Sequence, residues 1–376
     1  DLFKLIKSLE KAEKGYFKKF AQTHNKGAEQ QYLKLFDAID QQLEYNEPDL
    51  LKKFKSESFV KQLSVTKSYL WDLILKSQRA YRAQSSKFMR LNALMENGEI
   101  LFEKGLYEQA LVAWDKAKKL AEAFDEKAFI LDLEAWKRRY FVDLKAELWD
   151  TNVLPSFETT DKLLEQYRTT FEIQKIYYQI TKYIKTYPDF RNPEHKQKYE
   201  ALLQHPLIQA KNEPADFYGK LYFNYVHSNY HNLANNEKEN LKYINKVIQL
   251  WHENPLLINV EPIRYIAAIN NYLGTLSKFG RYTEFINYVE AFKPPVFNSI
   301  SQEAIYYEHW WRWKEITFKI TKNDIEFGNF IDETFPKLVA YAPYINSVRW
   351  MLIRFAIAGH YFKTKNYNAA LTIINE

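Results

Sequence analysis

Residues 94–117 read LMENGEILFEKGLYEQALVAWDKA, the clearest helical pattern in the chain. Small residues such as Gly98 and Ala110 let two antiparallel helices approach closely, and Gly105 suits a turn that reverses the chain. Large side chains such as Trp114 fill the interface between neighbouring hairpins. We therefore predict a helical hairpin over these residues.

The spacing of these residues resembles a tetratricopeptide repeat, although Leu94 stands where the motif usually has Trp. Two further stretches are similar. One contains Gly280-Arg281-Tyr282 and the other contains Asn366-Tyr367. From Tyr107 to Tyr282 is 175 residues, or five steps of 35, close to the repeat period of roughly 34. The 85 residues from Tyr282 to Tyr367 indicate drifted units or insertions.

The sequence predicts an all-α chain in two parts. Residues 1–90 form a basic N-terminal helical segment, and residues 91–376 form the repeat region. The resemblance implies that this region is an α-α superhelix, a solenoid of roughly seven or eight antiparallel helical hairpins. Four prolines at positions 188, 193, 206 and 214 predict an irregular connection with one short helix, or a loose boundary, near residues 186–215.

Capping signals locate three helix starts inside the repeat region. A short polar side chain precedes Glu or Gln by three residues at Asn236, Ser299 and Asn323. Such a side chain accepts a hydrogen bond from a free backbone N–H of the first turn. We therefore expect a helix to begin at each of these residues.

The composition excludes several kinds of site. The chain has 9 Gly, and no two of them are close enough to form a glycine-rich phosphate cradle. It has no Cys, which removes disulfides, thiolate zinc sites, Fe–S ligation and cysteine nucleophiles. No G-x-S-x-G motif is present, and no carboxylate pair is marked as an acid/base dyad. We expect no catalytic residues and no cofactor, and hence a protein that is not an enzyme.

Histidine and tryptophan provide the two clusters worth weighing as sites. His227 and His231 are four residues apart on a predicted helix, but two ligands are too few for a metal site, so none is predicted. The run His309-Trp310-Trp311-Arg312-Trp313 could form a stacking platform for bases or a peptide anchor. Core packing between hairpins is favoured, because aromatic side chains dominate protein cores.

No segment has the apolar length of a membrane-spanning helix, and the chain does not open on an apolar signal. The lack of Cys fits a reducing compartment, so a cytoplasmic location is expected. Residue 1 is Asp rather than Met, which leaves open that a targeting segment was removed.

The resemblance also implies a function, because the first helices of such hairpins line a concave surface that binds proteins or peptides. Carried onto this sequence, the candidate groove residues are Asn92, Met95, Glu99, Glu103, Asn270, Lys278 and Lys363. The Lys/Asn set with which some members of the family hold a C-terminal carboxylate is not evident. The sequence thus predicts a non-catalytic scaffold for a protein or peptide partner.

The positive charge is concentrated at the N-terminal end. Residues 1–90 have 18 Lys and Arg against 11 Asp and Glu, a net charge of +7, which leaves 35 − 36 = −1 for the remainder. Lys4, Lys7, Lys11, Lys14 and Lys18 have the spacing of one helix face. The face is either a solvated helix surface or a basic patch for nucleic acid or another polyanion. Ser8 is a good N-cap residue, which could split the lysine series.

Overall fold

The computed structural model describes residues 1–24, 29–83, 86–141, 149–187, 190–210 and 213–375. Regular structure in these ranges is helical, and none of it is β-strand, so the all-α prediction is confirmed. The chain divides into two compact units, Asp1–Ala113 and Trp114–Glu376. This division falls inside a helix, between Ala113 and Trp114.

The first unit contains six helices and the beginning of a seventh in its described residues. They are α1 (Leu2–Ser8), α2 (Lys11–His24), α3 (Glu29–Gln41), α4 (Glu47–Lys53), α5 (Leu63–Tyr81), α6 (Lys87–Glu103) and α7 (Tyr107–Ala123). Helices α1, α2, α3 and α5 pack around one apolar core, which includes the fully buried rings of Phe17 and Phe36. A 3-10 turn, Ser58–Gln62, precedes α5.

The second unit continues with thirteen helices in its described part. They are α8 (Lys127–Phe141), α9 (Leu154–Thr186), α10 (Pro193–Leu203), α11 (Pro206–Gln209), α12 (Phe217–Leu233), α13 (Glu237–His252), α14 (Pro255–Val260), α15 (Pro262–Lys278), α16 (Tyr282–Ala291), α17 (Ile300–Thr321), α18 (Asp324–Tyr341), α19 (Ser347–Lys363) and α20 (Tyr367–Asn375). Packing follows chain order: α9 contacts α12, α13 contacts α12 and α15, and α17 contacts α15 and α18. Helix α19 contacts α18 and α20.

Five helix connections share one three-residue turn. They lie at residues 104–106, 124–126, 234–236, 279–281 and 364–366. The central residue of each has a φ between 55° and 73°; these residues are Gly105, Asp125, Asn235, Gly280 and Lys365. The N–H of the third residue donates to the carbonyl five residues earlier at 2.8–2.9 Å, as in a Schellman motif. The three copies seen in the sequence therefore have the same turn, and two more copies exist.

All three predicted capping signals are confirmed. The side chain of Asn236 accepts a hydrogen bond from the N–H of Glu239, and Asn323 and Ser299 do the same at their own helices, at 3.2–3.3 Å. Each cap satisfies an N–H that has no partner within the helix. These local signals define where α13, α17 and α18 begin.

The proline-rich connection differs from the expectation. Helix α9 runs to Thr186, and the following segment contains two short helices, α10 and α11, instead of one. Pro193 and Pro206 each occupy the first turn of a helix, where the missing N–H costs nothing. The prolines therefore start helices here as well as ending one, while Pro188 lies outside the described residues.

The N-terminal lysine series is split between two helices. Helix α1 ends at Ser8 and α2 begins at Lys11. Ser8 is not the cap of the second helix, because its hydroxyl donates to the carbonyl of Leu5 at 2.7 Å. Instead, the carboxylate of Glu13 accepts from the N–H of Glu10 at 2.9 Å. A single continuous lysine face is thus wrong.

The shared turn leads to a prediction at Lys365, whose φ of 63° is costly for a residue with a Cβ. We expect Lys365→Gly to raise the free energy of unfolding by about 0.5–1 kcal/mol, because Gly adopts this conformation freely. Gly280→Ala, at a φ of 72°, should lower it by about 1 kcal/mol. Urea denaturation measures both changes. A loss of stability in Lys365→Gly would contradict the assignment of the turn.

Candidate functional site

The four groove candidates of α6 differ in their exposure. Asn92 and Glu103 are exposed, and Glu99 is partly buried. Met95 is buried and belongs to the interior side of the helix. Only some of these residues therefore present their side chains to a partner.

The other three candidates contact neighbouring helices. Asn270 of α15 accepts a hydrogen bond from the indole N–H of Trp313 at 3.2 Å. Lys278 donates to the side-chain oxygen of Asn232 at 2.7 Å, at the end of α12. Lys363 forms an ion pair of 2.6 Å with Asp324, in the first turn of α18. These side chains connect adjacent helices, and in the described ranges no hydrogen bond or ion pair joins the three positions to one another.

The lysine series at the N-terminus contacts helix α3. Lys14 pairs with Asp40 and Lys18 pairs with Asp37, both at 2.7 Å. Lys7 donates to the backbone carbonyl of Asp40 at 2.6 Å. The two remaining lysines of the series, Lys4 and Lys11, are exposed. A polyanion bound here would have to compete with the contacts that α3 already makes.

His227 and His231 stack beside an aromatic ring. The ring of Tyr243 lies 4.5 Å from that of His227 and 5.8 Å from that of His231, measured between centroids. Within the described ranges, no group of three or more His, Asp or Glu is placed to hold a metal ion. The two histidines of α12 therefore belong to the packing between α12 and α13.

The tryptophan cluster of α17 lies mainly in the core. Trp311 is completely buried and Trp313 is 2% exposed, in accordance with core packing. Beside them, Arg349 of α19 donates to the buried carboxylate of Glu308 at 2.8 Å and lies 3.0 Å from Nε2 of His309. Burial lowers the pKa of His309 to about 4, and the two nearby guanidinium groups act in the same direction.

The buried His309 and the partly buried His227 predict a pH-dependent stability. Burial also lowers the pKa of His227 to about 4, so both rings are neutral in the fold at pH 5 but take up a proton on unfolding below about pH 6.5. Stability is then lost as the pH falls from about 6.5 towards 4, by about 2 kcal/mol for each ring at pH 5.

The measurement is urea unfolding at pH 7 and pH 5 for the wild type, His227→Gln and His309→Gln. Burial raises the pKa of Glu308, which increases stability on acidification and so opposes the loss caused by the histidines. The histidine variants are therefore needed to isolate the effect of each ring. We expect each variant to lose less stability on acidification than the wild type. Equal losses in all three proteins would show that neither ring is responsible.

One side of the 33-residue helix α9 is an exposed apolar surface. Five large apolar side chains on this side are between 43% and 57% exposed; they are Phe157, Leu164, Tyr167, Phe171 and Tyr178, here called the α9 face. Four of them recur at intervals of seven residues. The opposite side of the helix is buried through Ile173, Ile176 and Ile180. The α9 face is thus an apolar strip that points away from the helix's own core.

A cluster of tyrosines and one arginine holds the C-terminal half of α9 in place. Arg264 of α15 donates to the hydroxyl of Tyr222 at 2.8 Å, and Gln174 of α9 donates to the same hydroxyl at 3.1 Å. The ring of Tyr177 lies 5.2 Å from that of Tyr222 and 5.6 Å from that of Tyr225. Helices α9, α12 and α15 are therefore connected side by side, which fixes the direction of the α9 face.

Charged groups complete this cluster. Arg264 pairs with Glu261 at 3.0 Å, and Glu261 also accepts a hydrogen bond from the hydroxyl of Tyr218 at 2.8 Å. Burial raises the pKa of Tyr177 and of Tyr225 above the ordinary value of a tyrosine. Arg264 therefore has its acidic partner, Glu261, within a cluster of otherwise aromatic side chains.

The α9 face was not predicted from the sequence. The seven-residue recurrence was visible in the letters, and such a recurrence is typical of a helix that packs against another helix. Exposed aromatic residues in a row are also common where proteins bind each other. Chemically, the surface offers apolar contact and no reactive group.

No protein-family model, curated protein or solved structure matches the chain in the comparisons with known proteins. In the described part of the chain, no helix has the length and apolar character needed to cross a membrane. The α9 face is therefore the feature that bears on function.

Proposed function

We propose that the protein is a non-catalytic interaction protein, a tetratricopeptide-like solenoid that presents the α9 face to a protein partner. The recurrence of the Schellman turn and the packing of hairpins in chain order support the solenoid. In this architecture each hairpin contacts mainly its neighbours, so extended surfaces remain available for binding.

The single observation that carries the proposal is the exposure of the α9 face. Large apolar side chains in a row are costly to leave in water, at about 25 cal/mol for each Å² of apolar surface. Contiguous exposed apolar patches on soluble proteins typically mark interaction sites. The regular seven-residue spacing further favours an α-helix as the bound element, since knobs repeat at this interval when two helices pack.

The first-helix groove predicted from the resemblance is a second location for the same function. Glu99 and Glu103 of α6 are its acidic candidates; Glu99 is partly buried and Glu103 is exposed. A partner would contact different side chains at the groove and at the α9 face. One experiment can therefore distinguish the two locations.

The test is affinity capture from native cell extract with three variants of the chain. We expect Leu164→Glu with Phe171→Glu to lose the partner, because two charges in the centre of the α9 face would be desolvated on binding. Glu99→Lys with Glu103→Lys tests the groove, and Ile325→Glu, at an 81% exposed site of α18 between two acidic residues, is the matched control. If the α9 variant retains the partner, this surface is not the binding site.

A further inference from the structure

We propose that the partner of the α9 face is the α9 face of a second copy of this chain, bound antiparallel in a two-fold symmetric dimer. The inference rests on the proposed function, because it names the occupant of the same surface. It is carried by the order of apolar and charged side chains along the helix.

The apolar side chains are arranged symmetrically about the middle of the face. Phe157 and Tyr178 are the outer pair, and Leu164 and Phe171 are the inner pair. The midpoint of both pairs falls between residues 167 and 168. In an antiparallel arrangement Phe157 lies opposite Tyr178 of the second copy, and Leu164 lies opposite Phe171. A self-complementary patch of this kind is what a two-fold interface requires.

The charges at the two ends of the helix are complementary. Asp150 lies in a π-helical turn, Trp149–Val153, that directly precedes α9, and Lys185 lies in the last turn of α9; both are exposed. Antiparallel pairing brings the end that carries Asp150 near the end that carries Lys185 of the second copy. A parallel pair would instead bring the two acidic ends together and the two basic ends together. The charges therefore favour the antiparallel arrangement.

Charges beside the apolar strip follow the same rule. Asp161 is exposed, and Lys175, which pairs with Glu172 of its own helix at 2.9 Å, is exposed as well. The register places Asp161 of one copy near Lys175 of the other. Arg168 lies beside the two-fold axis, where it approaches its own counterpart, and the exposed Glu165 one turn earlier on the same helix offsets that repulsion.

The size of the surface is sufficient for a reversible dimer. An aromatic side chain buries roughly 150–250 Å² in total, so five half-exposed side chains contribute about 500 Å² in each copy. The two copies together bury about 1,000 Å² through these side chains, which is near the lower limit for specific interfaces. We therefore expect dimers that dissociate on dilution.

The experiment is sedimentation velocity of the full chain at protein concentrations up to about 100 µM. We expect the wild type to change from monomer to dimer, and Phe171→Glu to weaken the dimer at least tenfold. Asp161→Lys and Lys175→Glu should each weaken it, whereas the chain with both changes should recover, since the charges are then exchanged within the pair. Ile325→Glu is the control, and circular dichroism confirms that each variant is folded.

A wild type that stays monomeric overturns the dimer, while capture of a different protein through the α9 face would still stand. A dimer that Phe171→Glu does not weaken uses another surface, which overturns the proposal as well. Failure of the double charge exchange to restore association would overturn the antiparallel register.

Discussion

Replacing Trp311 by Ala should lower the free energy of unfolding by about 3–5 kcal/mol, the largest loss we expect from a single substitution. The indole is completely buried, and its N–H donates to the hydroxyl of Thr334 at 3.0 Å. Its ring lies 5.9–6.1 Å from those of Phe327 and Phe330, so it joins α17 to α18. Truncation leaves a cavity and removes a hydrogen bond at once.

Urea denaturation followed by far-ultraviolet circular dichroism measures this loss. The control is Phe362→Ala, whose ring is 67% exposed and which should change stability by less than about 0.5 kcal/mol. Trp311→Phe should fall between the two, because it keeps most of the volume but not the N–H donor. A loss below about 1 kcal/mol in Trp311→Ala would show that the core of α17 and α18 is not packed as described.

Replacing Asp216 by Ala should cost about 3 kcal/mol, because one carboxylate makes three contacts. It accepts from the N–H of Gly219 at 2.6 Å, which caps α12, and from the hydroxyl of Thr170 of α9 at 2.9 Å. It also lies 3.4 Å from the ammonium group of Lys127, whose side chain is buried. Without Asp216, Asp125 is the one ion-pair partner that this ammonium group retains among the residues the structure describes.

Asp216→Asn separates the cap from the charge. Its amide oxygen can still accept from the N–H of Gly219, whereas the amide NH2 replaces the oxygen that Thr170 donates to, so the Thr170 hydroxyl has to turn and accept instead. We expect a loss of about 1 kcal/mol, mainly from the weaker contact with Lys127. Hydrogen exchange at the first turn of α12 should accelerate in Asp216→Ala and change little in Asp216→Asn. Equal destabilisation by the two substitutions would mean that the cap contributes nothing.

Signals in the sequence predicted the hairpins only where the residue type reveals the conformation. Gly105 and Gly280 mark their turns, because glycine is the usual residue at positive φ. Asp125 and Asn235 adopt the same conformation with a side chain, so the turns at α7–α8 and α12–α13 were not predicted from the sequence. The Asn236 cap indicated a helix start but not that this turn precedes it.

The surfaces were harder to predict because they depend on distant partners. Asp40 binds Lys14 across 26 residues, and Trp313 binds Asn270 across 43. No local pattern shows that these polar side chains are already engaged. For α9, the seven-residue recurrence was present in the sequence, but it does not reveal which side of a helix is covered. The burial of Ile176 on the other side decides this only in the folded chain.

Photo-cross-linking in cells tests whether the α9 face binds protein. A photoreactive phenylalanine analogue is placed at Leu164, and a second chain carries it at Tyr282, an exposed residue of α16. After irradiation in native cells, we expect discrete protein adducts from position 164 that position 282 does not give. Absence of adducts from position 164, or the same adducts from both positions, would show that the α9 face is not a specific binding surface.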